Sequence, residues 1–243
     1  MIVRLLPKAL AAVLASLALL LLAGCMYPED QSPGNNASAR EAVLTVQDAV
    51  DRYREQTGLL PIQNADETIP QYEKYKVDFG KLKRLGYVSQ VPGAAFESGG
   101  AYQFLIIDEE TNPLVRLLDL TVFQSVAGVQ KKVDEYRAGH ANRNPAGDEV
   151  YPGFASVDFS KLGMKSLEIR SMYSRQTLNL LVDEAGQVFV DYGIDIATAL
   201  NKAEVKPGAN EDLRRMLIDA SYFVPVRSPA YQLVNGEPTA VRS

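Results

Sequence analysis

The feature that most constrains the fold is the repetition of three short patterns in the same order along the chain. The pattern Val-Gln-x-x-Val-Asp-x-Tyr-Arg begins at Val46 and again at Val129. Val-Asp-Phe-x-Lys-Leu begins at Val77 and at Val157, and an aliphatic pair before Asp-Glu begins at residues 106 and 181. The order predicts two related units in tandem. Amphipathic helices and hairpins also resemble one another by chance, and that alternative stays open.

Each unit begins with a long amphipathic helix. The first helix is predicted to start at Ser38, because Ser38 and Glu41 have the spacing of a capping box, and to end at Thr57 before Gly58. The second is predicted over residues 120–137. Apolar residues three or four positions apart give each helix one buried stripe: Val43, Val46, Val50 and Tyr53 in the first, and Val122, Val126, Val129, Val133 and Tyr136 in the second.

The remainder of each unit is predicted to be a capped turn of helix and a small antiparallel sheet. The predicted strands are 102–107 and 114–118 in the first unit, and 167–172, 177–182 and 188–192 in the second. A helix near 210–220 and an extended tail interrupted by prolines would follow, with loose last residues. The fold class is therefore α+β, with two tandem units in which a helix covers a small antiparallel sheet.

The N-terminal segment has the three parts of an export signal. Arg4 and Lys8 are basic, residues 9–22 are apolar, and the small residues Ala23 and Gly24 precede Cys25. The apolar run is shorter than the roughly 20 residues of a membrane span. A cysteine directly after Leu-Ala-Gly resembles the lipobox of bacterial lipoproteins. An ordinary signal peptide with a chance cysteine and a single-span anchor are the alternatives.

The lipobox resemblance implies cleavage between Gly24 and Cys25 and a covalent diacylglycerol on the Cys25 thiol, with no other cofactor. Two acyl chains hold a protein stably at a membrane, so the predicted location is the outer, extracytoplasmic face of the cell membrane. The predicted organisation is a signal peptide at 1–24, a flexible tether at 25–37, α+β units at 38–119 and 120–206, and a C-terminal helix and tail at 207–243.

Composition excludes several classes of function. The formal net charge of −5 argues against a nucleic-acid partner, for which a basic face would be expected. Cys25 is the only cysteine, so an intramolecular disulfide and a zinc site built from several thiolates are excluded. The chain carries no G-x-S-x-G, H-E-x-x-H, Walker A or G-x-G-x-x-G pattern. No catalytic residue and no metal ligand is therefore predicted.

Two weak candidates for catalysis exist. His140 is the only histidine and lies in a polar loop, where a surface role is the alternative to a place in a Ser-His-Asp triad. The acidic clusters at 108–110 and 183–184 could bind Ca²⁺ or act as paired general acid and base. Acidic residues are also ordinary in hairpin turns. An envelope hydrolase that uses these carboxylates is therefore an alternative function, as is a small-ligand-binding lipoprotein.

The run Phe96, Glu97, Ser98, Gly99 and Gly100 is the predicted partner surface. An aromatic residue beside two glycines suits a recognition loop. The alternative is that Phe96 packs inward and the glycines only permit a turn. The predicted function is a binding or scaffolding module at the cell envelope, with an unidentified envelope protein as partner.

Two resemblances accompany this interpretation. Residues 49–104 resemble the helix-to-sheet part of type IV pilins and pseudopilins, through residues 53–61, 86–88 and 102–104, which implies a helix on a small antiparallel sheet. The mature chain also resembles a family of uncharacterised lipoproteins from endospore-forming Gram-positive bacteria, of the YphF type. The residues that carry this resemblance are 25–29, 58–62, 77–79, 95–100, 110–113 and 117–120. It implies a location and no activity.

Overall fold

The described chain combines six α-helices with small antiparallel sheets, which confirms the predicted α+β class. The computed structural model describes residues 37–204, 207–208 and 210–242, so the predictions on the signal peptide, Gly24, Cys25 and residues 26–36 of the tether lie outside the described residues. The helices are α1 (Ala37–Thr57), α2 (Gln71–Lys74), α3 (Phe79–Arg84), α4 (Leu120–Gly139), α5 (Gly193–Lys202) and α6 (Arg214–Asp219). None of them combines the length and apolar character that a membrane span requires.

The strands form one four-stranded sheet and three pairs. They are β1 (Tyr102–Ile107), β2 (Leu114–Asp119), β3 (Ala146–Tyr151), β4 (Phe154–Val157), β5 (Ile169–Arg170), β6 (Thr177–Leu178), β7 (Leu180–Asp183), β8 (Val188–Val190), β9 (Ala230–Val234) and β10 (Glu237–Val241). The four-stranded sheet has the order β3-β4-β7-β8, and the pairs are β1-β2, β5-β6 and β9-β10.

The valine stripe of α1 packs on the β1-β2 pair. Val46 and Val50 are fully buried in a core that they share with Phe104 and Ile106 of β1 and with Val115 of β2. The valines of the α4 stripe pack in the same way against the second sheet, where Val129 and Val133 belong to a core with Val182 and Val188. Tyr136, the last residue of the predicted stripe, is only partly buried and lies outside that core. Each long helix therefore covers the strands that its sequence stripe predicts.

Extended segments widen the β1-β2 pair on both sides. On one side, the Val77 N–H donates to the Phe104 carbonyl at 3.0 Å, and Lys76 bridges Leu105. On the other side, the Val224 N–H donates to the Leu117 carbonyl at 3.0 Å. Residues 222–224 thus pair with β2 although they lie about a hundred positions later in the chain.

The first repeated pattern makes the same contact twice. The Gln47 amide donates to the Pro113 carbonyl at 3.0 Å, and its oxygen accepts the Val115 N–H at 2.7 Å. Gln130 does the same with the Gly186 carbonyl at 2.8 Å and the Val188 N–H at 2.7 Å. Each glutamine also donates to the aspartate four residues later. Chance likeness between amphipathic helices does not explain a repeated side-chain-to-backbone contact.

The second repeated pattern also keeps its contacts. Asp78 accepts the Lys81 N–H at 2.8 Å and lies 3.7 Å from the Lys81 ammonium. Asp158 accepts the Lys161 N–H at 3.4 Å and lies 3.4 Å from the Lys161 ammonium. The first copy caps helix α3, whereas the second closes a turn.

For the third repeated pattern, the predicted correspondence between the two copies is wrong by one residue. Ile106 pairs with Val115, and Val182 pairs with Val188. Because Val115 and Val188 receive the same glutamine contact, Ile106 corresponds to Val182 and not to Leu181. The two Asp-Glu turns therefore resemble each other without occupying equivalent positions, and a shift of one residue moves a side chain to the opposite face.

The second half of the chain contains elements that the patterns did not predict. Helix α5, the strands β3 and β4 and the hairpin β9-β10 are all additional. The predicted strand 167–172 is reduced to the two residues of β5, and the predicted strand 177–182 divides at Asn179 into β6 and β7. The Asn179 carbonyl accepts the Asp191 N–H at 3.0 Å in the register of the β7-β8 pair, whereas Leu178 before it pairs with β5.

The C-terminal tail is an ordered hairpin and not a loose extended strand. Tyr231 on β9 is fully buried in the second core. Its hydroxyl donates to Asp191 Oδ1 at 2.7 Å and accepts the Tyr192 N–H at 3.0 Å. Burial and the neighbouring Asp191 carboxylate raise the pKa of Tyr231 far above its usual value, so this phenol stays protonated and the donor is retained.

The glutamine contacts are open to a direct stability test. Gln130→Leu keeps a side chain of similar size but removes the oxygen that accepts the buried Val188 N–H. We therefore expect a loss of about 1–3 kcal/mol in the free energy of unfolding. Gln124 is exposed on the same helix, and Gln124→Leu should leave that free energy within about 0.5 kcal/mol of wild type. Urea denaturation followed by circular dichroism measures both, and equal stabilities for the two variants would contradict the assigned role.

Candidate functional site

The predicted partner surface forms one turn of 3₁₀ helix, Phe96–Ser98, between the buried Ala95 and the left-handed Gly99. The Ser98 N–H and the Gly100 N–H both donate to the Ala95 carbonyl at 2.9 Å. These bonds fix the backbone of the loop from within. The structure therefore presents this surface as a rigid turn and not as a flexible loop.

Phe96 points out of this turn and is 56% exposed. The alternative that Phe96 packs into the core is therefore wrong. The glycines do serve the turn: Gly99 has a φ of 84°, and a Cβ on Gly100 would lie 2.2 Å from the Ala94 carbonyl oxygen. An exposed aromatic ring on a fixed backbone loses little conformational freedom on binding, which favours its use as an anchor for a partner.

Glu97 connects the turn to a neighbouring cavity. The Glu97 carboxylate accepts a hydrogen bond from the buried Gln103 amide at 3.2 Å. Gln103 in turn lines a cavity of about 320 Å³, which we call the Arg227 cavity. Its apolar lining consists of Ile69, Pro70, Leu118, Leu120 and Phe123, and its polar lining of Thr68, Glu73, Lys76, Gln103 and Arg227.

Arg227 gives this cavity its electrostatic character. Its guanidinium lies 4.3 Å from the centre of the Phe123 ring, and Nε lies 3.9 Å from Glu73 Oε2, beyond hydrogen-bonding distance. Nε is buried and has no hydrogen-bond partner in the described part of the chain. The Glu73 carboxylate instead accepts the Arg227 backbone N–H at 2.8 Å. The cavity therefore combines apolar walls with an incompletely paired cation, an arrangement that suits an apolar group bearing a carbonyl or carboxylate.

His140 has a structural place at the end of α4. Its Nδ1 lies 2.7 Å from the Tyr136 carbonyl oxygen, and its ring stacks on the Tyr136 ring at 3.8 Å between centroids. The His140 ring thereby provides a hydrogen-bond partner for one of the carbonyl groups at the helix C-terminus. These contacts are those of a helix cap, and they place no serine nucleophile against the ring.

The two acidic clusters contact different parts of the chain. Asp108 forms an ion pair with Arg215 of α6. Asp183 accepts the Gln187 N–H within its own turn at 2.7 Å, and Glu184 pairs with Arg242 at 2.5 Å. Neither cluster lines the Arg227 cavity, and no group of three or more His, Cys, Asp and Glu side chains in the described ranges has the arrangement of a metal site. The structure therefore adds no geometry in favour of the carboxylate hydrolase.

The sequence did not indicate the Arg227 cavity. Gln103 lies on β1, Glu73 on α2 and Arg227 in the tail, so 154 positions separate the last two. The two prolines at positions 225 and 229 were the only local signal, and they indicate an irregular segment without indicating what it contacts.

The rigidity of the Phe96 turn can be tested with two glycines of the same loop. Gly100→Ala places a methyl group against the Ala94 carbonyl, so we expect a loss of about 1–3 kcal/mol in the free energy of unfolding. Gly93 has open space around its Cβ position and no positive φ. Gly93→Ala should therefore leave that free energy unchanged or raise it by less than about 1 kcal/mol. Thermal and urea unfolding distinguish the two, and a neutral Gly100→Ala would show that the turn adapts.

Comparison with protein families identifies one domain. Residues 39–119 match the model of the YphF family N-terminal domain. The matched segment runs from α1 to the last residue of β2 and therefore contains both the Phe96 turn and the Gln47 contact. No curated protein and no solved structure matches the chain. The domain match supports the YphF-type family for this chain.

Proposed function

We propose that the protein is a lipoprotein anchored to the outer face of the cell membrane, where it acts as a binding module for an envelope protein. The single observation that carries the binding role is Phe96, an exposed aromatic side chain on a hydrogen-bonded turn, and Glu97 of the same turn contacts Gln103 of the Arg227 cavity. Aromatic anchors next to a pocket dominate the binding energy of many protein interfaces.

The anchor rests on the N-terminal sequence. Cys25 follows a basic start, an apolar run and the small residues Ala23 and Gly24, an order that resembles the lipobox of bacterial lipoproteins. Lipid attachment would confine the domain to a surface and raise its effective concentration near neighbouring proteins. A modest interface around Phe96 would then be sufficient for binding.

The helix-on-sheet arrangement suits this role. Helix α1 packs on β1 and β2, and the resemblance of residues 49–104 to pilins and pseudopilins is proposed for this packing alone. We propose an architectural relationship only, in which the helix and sheet form a rigid base for the connecting loops. The Phe96 turn immediately precedes β1, so the sheet fixes the direction in which the ring projects.

The anchor predicts a specific effect of Cys25→Ala. We expect the variant to lose incorporation of an alkyne-labelled fatty acid and to leave the membrane fraction, either by secretion or as an unprocessed precursor of higher mass. Ser32→Ala, in the same polar segment, is the matched control and should behave as wild type. Unchanged lipid labelling of Cys25→Ala would contradict the assignment.

The binding surface predicts site-specific crosslinking. A photo-reactive phenylalanine analogue at position 96 should give one recurrent protein adduct in intact cells. The same analogue at Val150, which is also an exposed apolar residue on the described surface, should not give that adduct. Phe96→Ser should abolish co-purification of the captured protein, whereas Val150→Ser should not. Identical adducts from both positions would reject a specific surface at Phe96.

A further inference from the structure

Asp195 is a buried carboxyl group that the Phe96 surface does not use. It lies in the first turn of α5 and is 2% exposed. The Ser171 hydroxyl donates to Oδ2 at 2.8 Å. Oδ1 is buried and has no hydrogen-bond partner in the described ranges. Burial raises the pKa of Asp195, and the neighbouring Ser174 and Ser171 hydroxyl groups offset part of that rise.

A structural role accounts for only one of these oxygens. The Ser171 oxygen accepts the N–H groups of Tyr173 and Ser174 at 2.9 and 3.0 Å, which holds the turn after β5. Asp195 completes that turn by accepting the Ser171 proton at Oδ2. Oδ1 has no hydrogen-bond partner among the residues that the structure describes, and a buried acceptor without a donor is destabilising.

Asp195 lines a cavity of about 530 Å³ formed by three elements. The turn after β5 contributes Met172 and Tyr173, α5 contributes one face, and α6 with the residues after it contributes Leu217 and Ser221. The volume lies within the range of about 300–1,000 Å³ that is typical of small-molecule sites. The cavity shares no lining residue with the Arg227 cavity.

The face of α5 carries opposite charges toward the two ends of the cavity. Asp195, Thr198 and Lys202 have the spacing of one helical face, and all three line the cavity. Their rise of about 1.5 Å per residue places Lys202 roughly 10 Å from Asp195 along the axis. Asp195 is buried whereas Lys202 is exposed, and Lys202 forms no ion pair within the described residues.

We propose that this cavity binds a small zwitterion, with the ligand's ammonium on Asp195 Oδ1 and its carboxylate near Lys202. An ammonium supplies both the missing hydrogen bond and the compensating charge. The apolar side chains of Met172, Tyr173 and Leu217 would cover the aliphatic part of the ligand between its two charged ends. This activity goes beyond the proposed partner binding at Phe96, because it uses a separate site and a different class of ligand.

Four probes with six-carbon chains and different terminal groups test the two ends of the site separately. Calorimetric titration of the full-length protein would compare 6-aminohexanoate, hexylamine, hexanoate and 1-hexanol. We expect 6-aminohexanoate to bind tightest and hexylamine next, with hexanoate and hexanol weakest. If neither amine binds more tightly than hexanol, the proposal is overturned.

Variants then assign each end to a residue. Asp195→Asn should weaken both amines by at least about tenfold, the loss expected for a charge-assisted hydrogen bond. Lys202→Ala should weaken 6-aminohexanoate and leave hexylamine unchanged, with the exposed neighbour substitution Asn201→Ala as its control. If Asp195→Asn does not fold, Ala199→Trp fills the same cavity and should abolish binding of all probes. Amine binding that survives the variants at positions 195 and 199 would place the ligand elsewhere.

Discussion

The bond between a helix glutamine and a strand backbone organises both halves of this molecule. Gln47 and Gln130 each bind one carbonyl and one N–H of a hairpin, so each fixes the position of its helix along the strands. Valine stripes alone would allow a helix to slide, because apolar packing has little directional preference. The polar contact sets the register, and the valines provide most of the burial.

The sequence predicted those parts of the fold that depend on local periodicity. The stripes of α1 and α4 and the strands β1 and β2 were found because each is long enough to repeat its pattern. Helix α5 was missed because it is short and begins with glycine, without a capping side chain of its own at Tyr192. The β9-β10 hairpin was missed because Pro229 and Pro238 suggested a broken tail, although Tyr231 anchors it in the core.

The candidate sites were less accessible to sequence reasoning. The Phe96 turn could be found, because an aromatic residue close to two consecutive glycines is a local signal. Arg227 and Asp195 could not be found in this way. Their character comes from burial and from partners at distant positions, such as Glu73 for Arg227 and Ser171 for Asp195. An isolated aspartate in a helix gives no indication that one of its oxygens lacks a donor.

The late position of the tail has a consequence for the order in which the chain can fold. Residues 222–224 pair with β2, and Tyr231 fills the core beneath α4, so both halves need a segment that is synthesised near the end. A chain that emerges from its N-terminus cannot complete either core until that segment arrives. Both halves would then complete folding together in one late event, because contacts between residues far apart in the chain form slowly.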